Sequence, residues 1–173
     1  MDLYIVRHAW ADDRDSSRWP DDDLRPLTEE GMERFARFVA KLAHRGVAPQ
    51  VVGASPLVRC RQTAELLAAG VPGKPTVERL DSLRPGSDLK GLLHWTVRQA
   101  QSHQQIAWVG HAPDVGWLTA ALIGQPEGSI RFAKGSVAAI RFDDFSTLGG
   151  RELCGSGELR WLVTAKMLED RPD

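Results

Sequence analysis

The sequence predicts an α/β fold in which helices cover a mostly parallel sheet within one domain, residues 1–173. Three observations predict it. Short apolar runs alternate with stretches of helical period through most of the 173 residues. No internal repeat or long linker divides the chain, and its length suits a single domain. Hydrophobic residues make up 42% and charged residues 26%, the balance of a globular chain with enough apolar surface to bury a core.

The elements follow in order. "DLYIVRH" reads as a buried strand whose apolar run, residues 3–6, ends on Arg7 and His8. "ADDRDSSRWPDDDLRP" is polar, holds two prolines and reads as a long loop. Thr28 is placed to cap a helix in which Met32, Phe35, Val39 and Leu42 recur at helical spacing, with Gly46 as its stop. "PQVVGASP" is a second strand, cut off by Pro56, and "LVRCRQTAELLAAG" a helix ending at Gly70. "PTVERL" reads as a short strand and "SDLKGLLHWTVRQAQS" as a third helix with Ser87 or Asp88 near its cap. "QQIAWVGH" is again a strand ending on a histidine, His111, and "DVGWLTAALIG" a helix stopping at Gly124. "SVAAIRFD" and "ELRWLVTAKM" read as closing strands at an antiparallel edge, and the Gly-rich "DDFSTLGGRELCGSGE" between them as a mobile turn region.

Composition narrows the function classes. The net charge is −1, with 22 Lys+Arg against 23 Asp+Glu, so the excess basic charge of a nucleic-acid binder is missing. The two cysteines, Cys60 and Cys154, form neither a disulfide framework nor a metal-ligand spacing. There is no basic n-region followed by an apolar h-region, and no apolar run reaches the ~18 residues that span a membrane. A reduced, cytoplasmic protein without membrane partners is expected.

Three strand ends carry reactive residues: Arg7 and His8 after the first, Ser55-Pro56 with Arg59 after the second, His111 after the fourth. In open α/β sheets ligands bind beyond the carboxyl ends of the strands. Should those strands be neighbours, two guanidiniums, two imidazoles and the start of a helix share one pocket, which is the equipment of a phosphoryl site. Arginine's planar fork matches phosphate oxygens. Histidine attacks phosphorus when one ring nitrogen is unprotonated and the other is fixed by a partner such as a backbone carbonyl. A second histidine can donate to an equatorial oxygen as charge builds. Each residue taken singly has a plainer reading, as a solvated charge or a satisfied structural histidine.

"VRHAW" resembles the Arg-His-Gly signature of the histidine phosphatase (phosphoglycerate mutase-like) superfamily. "SPLVRCRQTAELL" and "VGHAPDV" are similar to that superfamily's second and third blocks, and "DLRPLTEEGMERF" to its SixA-type phosphohistidine phosphatase branch. The resemblance implies a three-layer αβα sandwich without a large cap insertion. It implies His8 as a nucleophile that becomes phosphorylated, with Arg7, Arg59 and His111 binding the phosphoryl group, and a reaction that needs no metal or other cofactor. Ala9 stands where the family has glycine.

The glutamate with which many members protonate the leaving oxygen has no clear counterpart. Asp88, Asp81, Asp13 and Asp15 are candidates for a general acid, Asp88 foremost, although it also reads as a helix cap; Asp114 reads as a first-turn acid. Asp21, Asp22 and Asp23 read as a solvated run, with Asp23 able to pair with Arg25. Cys60 sits between two arginines, which lower a thiol's pKa, but also reads as a small packed helix residue. Trp10 and Trp19, in the polar loop, are expected at the pocket rim, and Trp117 in the core.

Imidazole, with a pKa of ~6.5, leaves phosphorus without a strong acid, whereas an alkoxide needs a proton. The expected substrate is therefore a phosphohistidine-bearing protein. The alternatives are a small phosphorylated molecule, hydrolysed as a phosphomonoester, or a phosphate- or phosphoprotein-binding role without turnover.

Overall fold

Alternation along the first strand sets the layers. In the computed structural model, β1 (Asp2–Arg7) sends Leu3 and Ile5 into one apolar cluster and Tyr4 and Val6 into another. Successive side chains of a strand point to opposite faces, so both faces must be covered. The structure describes residues 1–128, 130–143 and 153–168.

The remaining strands are β2 (Val51–Ala54), β3 (Thr76–Arg79), β4 (Gln105–Gly110), β5 (Val137–Arg141) and β6 (Glu158–Val163). They form a sheet of order β3-β2-β4-β1-β5-β6. The pairs β2·β3, β2·β4 and β1·β4 are parallel, while β1·β5 and β5·β6 are antiparallel. On one face lie α1 (Glu29–Ala43), through Phe35, Phe38, Val39 and Leu42, and α2 (Val58–Gly70), through Cys60, Ala64 and Leu67. On the other lie α3 (Leu89–Gln99), through Leu92, Leu93 and Trp95, and α4 (Asp114–Leu122), through Val115, Leu118 and Leu122. Each buried Leu or Phe contributes about 1.5–3 kcal/mol of transfer free energy. The three-layer αβα sandwich expected from the sequence is the fold observed. Among the described residues, no helix is long and apolar enough to cross a membrane.

The helix ends follow their local signals. The Thr28 hydroxyl accepts the Gly31 N–H at 3.0 Å, capping α1. Gly31 itself faces the loop that leaves β1: a Cβ there would lie 2.4 Å from the Trp10 carbonyl oxygen, so α1 approaches that loop as closely as a side-chain-free position allows.

Two expectations change. The closing "ELRWLVTAKM" stops being a strand at Val163, and residues Ala165–Leu168 form a short helix, α5. Ala165 joins the α1–α2 side of the core, and a turn of helix returns it there where a continued edge strand would carry it into solvent. The polar segment expected as loop carries a 3-10 turn, Asp22–Leu24, and an antiparallel bridge between Ala11 and Leu27. Most of the Gly-rich stretch expected to be mobile, residues 144–152, lies outside the described residues; residues 153–156 form turns.

Candidate active site

Backbone pairing carries the reactive residues to one level. Arg7 lies opposite Gly110, and Ala54 opposite Val109. The ladder continues one residue further on each side of β4: the His8 amide donates to the Gly110 carbonyl at 3.0 Å and the Ser55 amide to the Val109 carbonyl at 3.0 Å. His111, the next residue after β4, is thereby flanked by His8 from β1 and Ser55 from β2. The two imidazole centroids are 5.5 Å apart. Arg59 returns to the same place as the second residue of α2.

His8 is buried and has a defined tautomer. Its Nδ1 is 2.8 Å from the Ala9 carbonyl oxygen. A carbonyl only accepts, so Nδ1 carries the proton and Nε2 keeps its lone pair. Burial pulls the ring down to about 3; the bond to Ala9 opposes this, and His111, Arg59 and Arg7 add to it. The imidazole is therefore neutral at pH 7. Ala9, in the glycine position, packs its methyl into the apolar cluster. Its amide donates to the Thr63 hydroxyl at 3.0 Å, and that hydroxyl donates to the Arg59 carbonyl at 2.7 Å. The residue after His8 is thus tied to the turn that carries Arg59.

His111 is equally enclosed. Its Nε2 is 2.9 Å from the Ser55 hydroxyl and 3.4 Å from the Cys60 sulfur. Burial, then the Arg59 charge, lower it to about 4, against the pull of Asp114, Asp23 and Asp22. Cys60 is fully buried, and burial pushes its thiol up in spite of Arg59. It is a packed helix residue, not an activated thiol.

The arginines complete the site. Arg7 Nη1 donates to the Phe132 carbonyl at 2.8 Å. Arg59 Nη1 donates to the Asp22 carbonyl at 2.7 Å, and its Nη2 pairs with Asp22 Oδ2 at 3.0 Å. Among the described residues, the buried side-chain nitrogen and oxygen atoms left without a hydrogen-bond partner are two: the Nε of Arg7 and the Nε of Arg59. An unmet buried donor costs roughly 1–3 kcal/mol, and more when charged. Both charges act on His8. Two cationic N–H donors and a neutral imidazole together make a receptor for a tetrahedral oxyanion.

The family model described as the histidine phosphatase superfamily, branch 1, matches residues 3–143. The chain belongs to the histidine phosphatase superfamily. It is a phosphatase. The phosphohistidine phosphatase SixA of Escherichia coli is 28% identical over 167 residues, covering 95% of this chain and 94% of that one. The structure of the protein histidine phosphatase SixA complexed with tungstate shares the fold with a TM-score of 0.81 at 24% identity, covering 98% and 100% of the two chains. An Escherichia coli structure described as a putative α-ribazole-5′-P phosphatase shares it with a TM-score of 0.66 at 20% identity, covering 95% and 98%.

The phosphatase brings Arg7, His8, Arg59 and His111 together and leaves the other candidates outside that group. Asp88 lies exposed at the start of α3 without a side-chain capping bond, and is not among the charges that act most on His8 or His111. Asp81 is held by Arg79 and Arg84, and Asp15 by Ser17; Asp13 is exposed. Asp114 accepts the Gly86 amide at 2.8 Å. Asp23 pairs with Arg84 at 2.7 Å, and Arg25 takes Asp22 instead, at 2.8 Å, the i,i+3 partner across the 3-10 turn. One tryptophan departs from expectation, Trp117, read as a core residue. Trp117 is 41% exposed, while Trp10 is half-buried under the Arg34 guanidinium and Trp19 is half-buried with its Nε1 donating to Asp12. Ser55, one of the residues at the end of the second strand, meets His111, while Asp22 and Thr63 are site side chains that the sequence does not mark, since a run of aspartates and a threonine inside a helix carry no sign of their distant partners.

The neutral histidines set a pH dependence of stability. Each folded-state pKa, about 3 for His8 and about 4 for His111, lies below the ordinary value. The unfolded chain therefore binds more protons as pH falls below ~6.5, and stability is lost from there downward until the folded pKa values are reached. At pH 5 the loss is roughly 2 kcal/mol per histidine. Urea unfolding at pH 7.5 and pH 5.0 measures it, and His8→Asn should remove about half of the difference. Equal stability of wild type at the two pH values would contradict neutral, buried imidazoles.

Proposed function

We propose that this phosphatase hydrolyses protein phosphohistidine through a phosphorylated His8. The observation that carries the proposal is the pair of unmet, buried Nε donors of Arg7 and Arg59 around a neutral His8 whose Nδ1 is bound to a carbonyl. Tungstate, the oxyanion bound in the SixA structure, is the shape this pair would receive. His8 Nε2 forms a bond to phosphorus while the substrate's P–N bond breaks. The leaving ring, protonated on its other nitrogen, departs as neutral imidazole with the bonding pair. Water then attacks the phosphorylated His8, releases inorganic phosphate and restores the neutral ring. The two Nε donors and His111 stabilise the equatorial oxygens in both steps. No metal is required by this sequence.

The acids near the site support a P–N substrate. Asp22 is held well below the usual carboxylate range, chiefly by its bond from Arg25, and stays ionised. Asp23 and Asp114 accept hydrogen bonds from Arg84 and from the Gly86 amide. Asp22, held ionised, is not a protonated donor for an alkoxide. The chain between β3 and β4 supplies one helix, α3, and its apolar face packs into the core instead of covering the site. A side chain presented on a protein surface can reach such a pocket.

The test is hydrolysis of a phosphohistidine-containing protein beside para-nitrophenyl phosphate, with chelator present, for wild type and His8→Ala. Fast, His8-dependent release from phosphohistidine with little from the ester is expected. Efficient ester hydrolysis would transfer the proposal to a small phosphorylated molecule, the substrate class of the α-ribazole phosphatase that shares the fold.

A further inference from the structure

We infer that Asp22 is a positioning residue for phosphoryl transfer, holding the Arg59 guanidinium with its Nε edge toward the transferring group. The inference rests on the phosphatase site described above and adds a residue to it.

Arg59 is a buried cation, its side chain 6% exposed. A guanidinium bound at one point can swing about that bond. Here residue 22 grips it at two: the backbone carbonyl takes Nη1 at 2.7 Å and carboxylate Oδ2 takes Nη2 at 3.0 Å. Two contacts in the plane of the group fix its rotation. Each terminal nitrogen is then held through one contact to residue 22, and Nε is a buried nitrogen left without a protein partner. Because Asp22 occupies the Nη edge, its negative charge does not compete for the Nε edge.

The grip is itself braced. Asp22 Oδ1 accepts from Arg25 Nε at 2.8 Å, three residues on, and lies 3.6 Å from Arg14 Nε. Arg25 Nη1 donates to the Asp12 carbonyl at 2.8 Å, on the segment that leaves His8. A continuous chain runs from the loop after the nucleophile, through Arg25 and Asp22, to Arg59. The "DDLRP" stretch thereby has a physical role, as a turn that sets an acid where a residue 37 positions away needs it.

A double-mutant cycle of Asp22→Ala and Arg59→Ala tests this, with kcat, kcat/KM, tungstate affinity by calorimetry and Tm measured for each protein. Asp22→Ala should lower kcat by about 10–100-fold, the scale of a misplaced catalytic contact. It should weaken tungstate binding as well. Asp22→Asn, which keeps an oxygen for Nη2, should recover part of both. In the Arg59→Ala background, Asp22→Ala should change neither by more than about twofold. A purely structural role would lower Tm and the folded fraction equally in both backgrounds and leave kcat per folded molecule unchanged, which would overturn the inference. So would a folded Asp22→Ala protein with wild-type tungstate affinity. The tungstate arm holds whatever the substrate, whereas full activity of His8→Ala would defeat the site itself.

Discussion

His8→Asn is expected to remove turnover while leaving the fold and the anion site in place. Asparagine can still donate its amide N–H to the Ala9 carbonyl, as the His8 ring does through Nδ1. It has no nitrogen lone pair able to bond phosphorus. The loss should be on the order of 10⁴-fold or more in kcat, as for removal of a covalent nucleophile. Tungstate affinity should fall far less, because the Nε donors of Arg7 and Arg59 remain. Rapid quenching with a labelled substrate should trap phosphate on wild-type protein in an acid-labile, base-stable form and none on the variant. Activity above about 1% of wild type in a folded His8→Asn protein would defeat the mechanism, which assigns bond formation to phosphorus to His8 Nε2.

Arg7→Lys should be nearly as damaging as Arg7→Ala. Arg7 does two things with one planar group. Its Nη1 holds the Phe132 carbonyl at 2.8 Å, and its buried Nε is a second donor, without a protein partner and assigned here to a phosphoryl oxygen. A lysine ammonium is a single point on a flexible stem and cannot fill both positions. If it satisfies the carbonyl it abandons the phosphoryl oxygen. If it meets the oxygen it strands a carbonyl. A loss of about 10²–10³-fold in kcat/KM is expected, the scale of one preorganised donor to a developing oxyanion. Thermal melts separate this from unfolding: Arg7→Lys should keep a Tm near wild type. Wild-type kcat/KM in Arg7→Lys would show that only the charge matters and not the fork.

The sequence already held the layers, the helix ends and the four central residues. Apolar runs and helical spacing are local signals, and so are caps such as Thr28 and stops such as Gly46, whose φ is +87°. Arg7, His8, Arg59 and His111 are readable because Arg7 ends β1, His8 and His111 follow β1 and β4 directly, and Arg59 lies in the first turn of α2, all boundaries marked in the chain. The need for a carbonyl beside His8 could be stated from chemistry alone. That the carbonyl belongs to Ala9, next in sequence, could not.

What required the tertiary structure was every relation between distant segments. The placement of β4 between β1 and β2 makes neighbours of His8, His111 and Ser55, and strand order is set by crossovers that no local pattern encodes. Asp22 looked like one of three solvated aspartates because its partner, Arg59, is distant in the chain. The apolar surroundings of Trp117 in the sequence predict burial, yet it falls on the outer side of a helix whose neighbours Val115, Gly116 and Leu118 are buried, while Trp10 and Trp19, from a polar segment, fold back under Arg34 and beside Asp12. Periodicity specifies that a face exists, and only packing of remote elements determines what covers it.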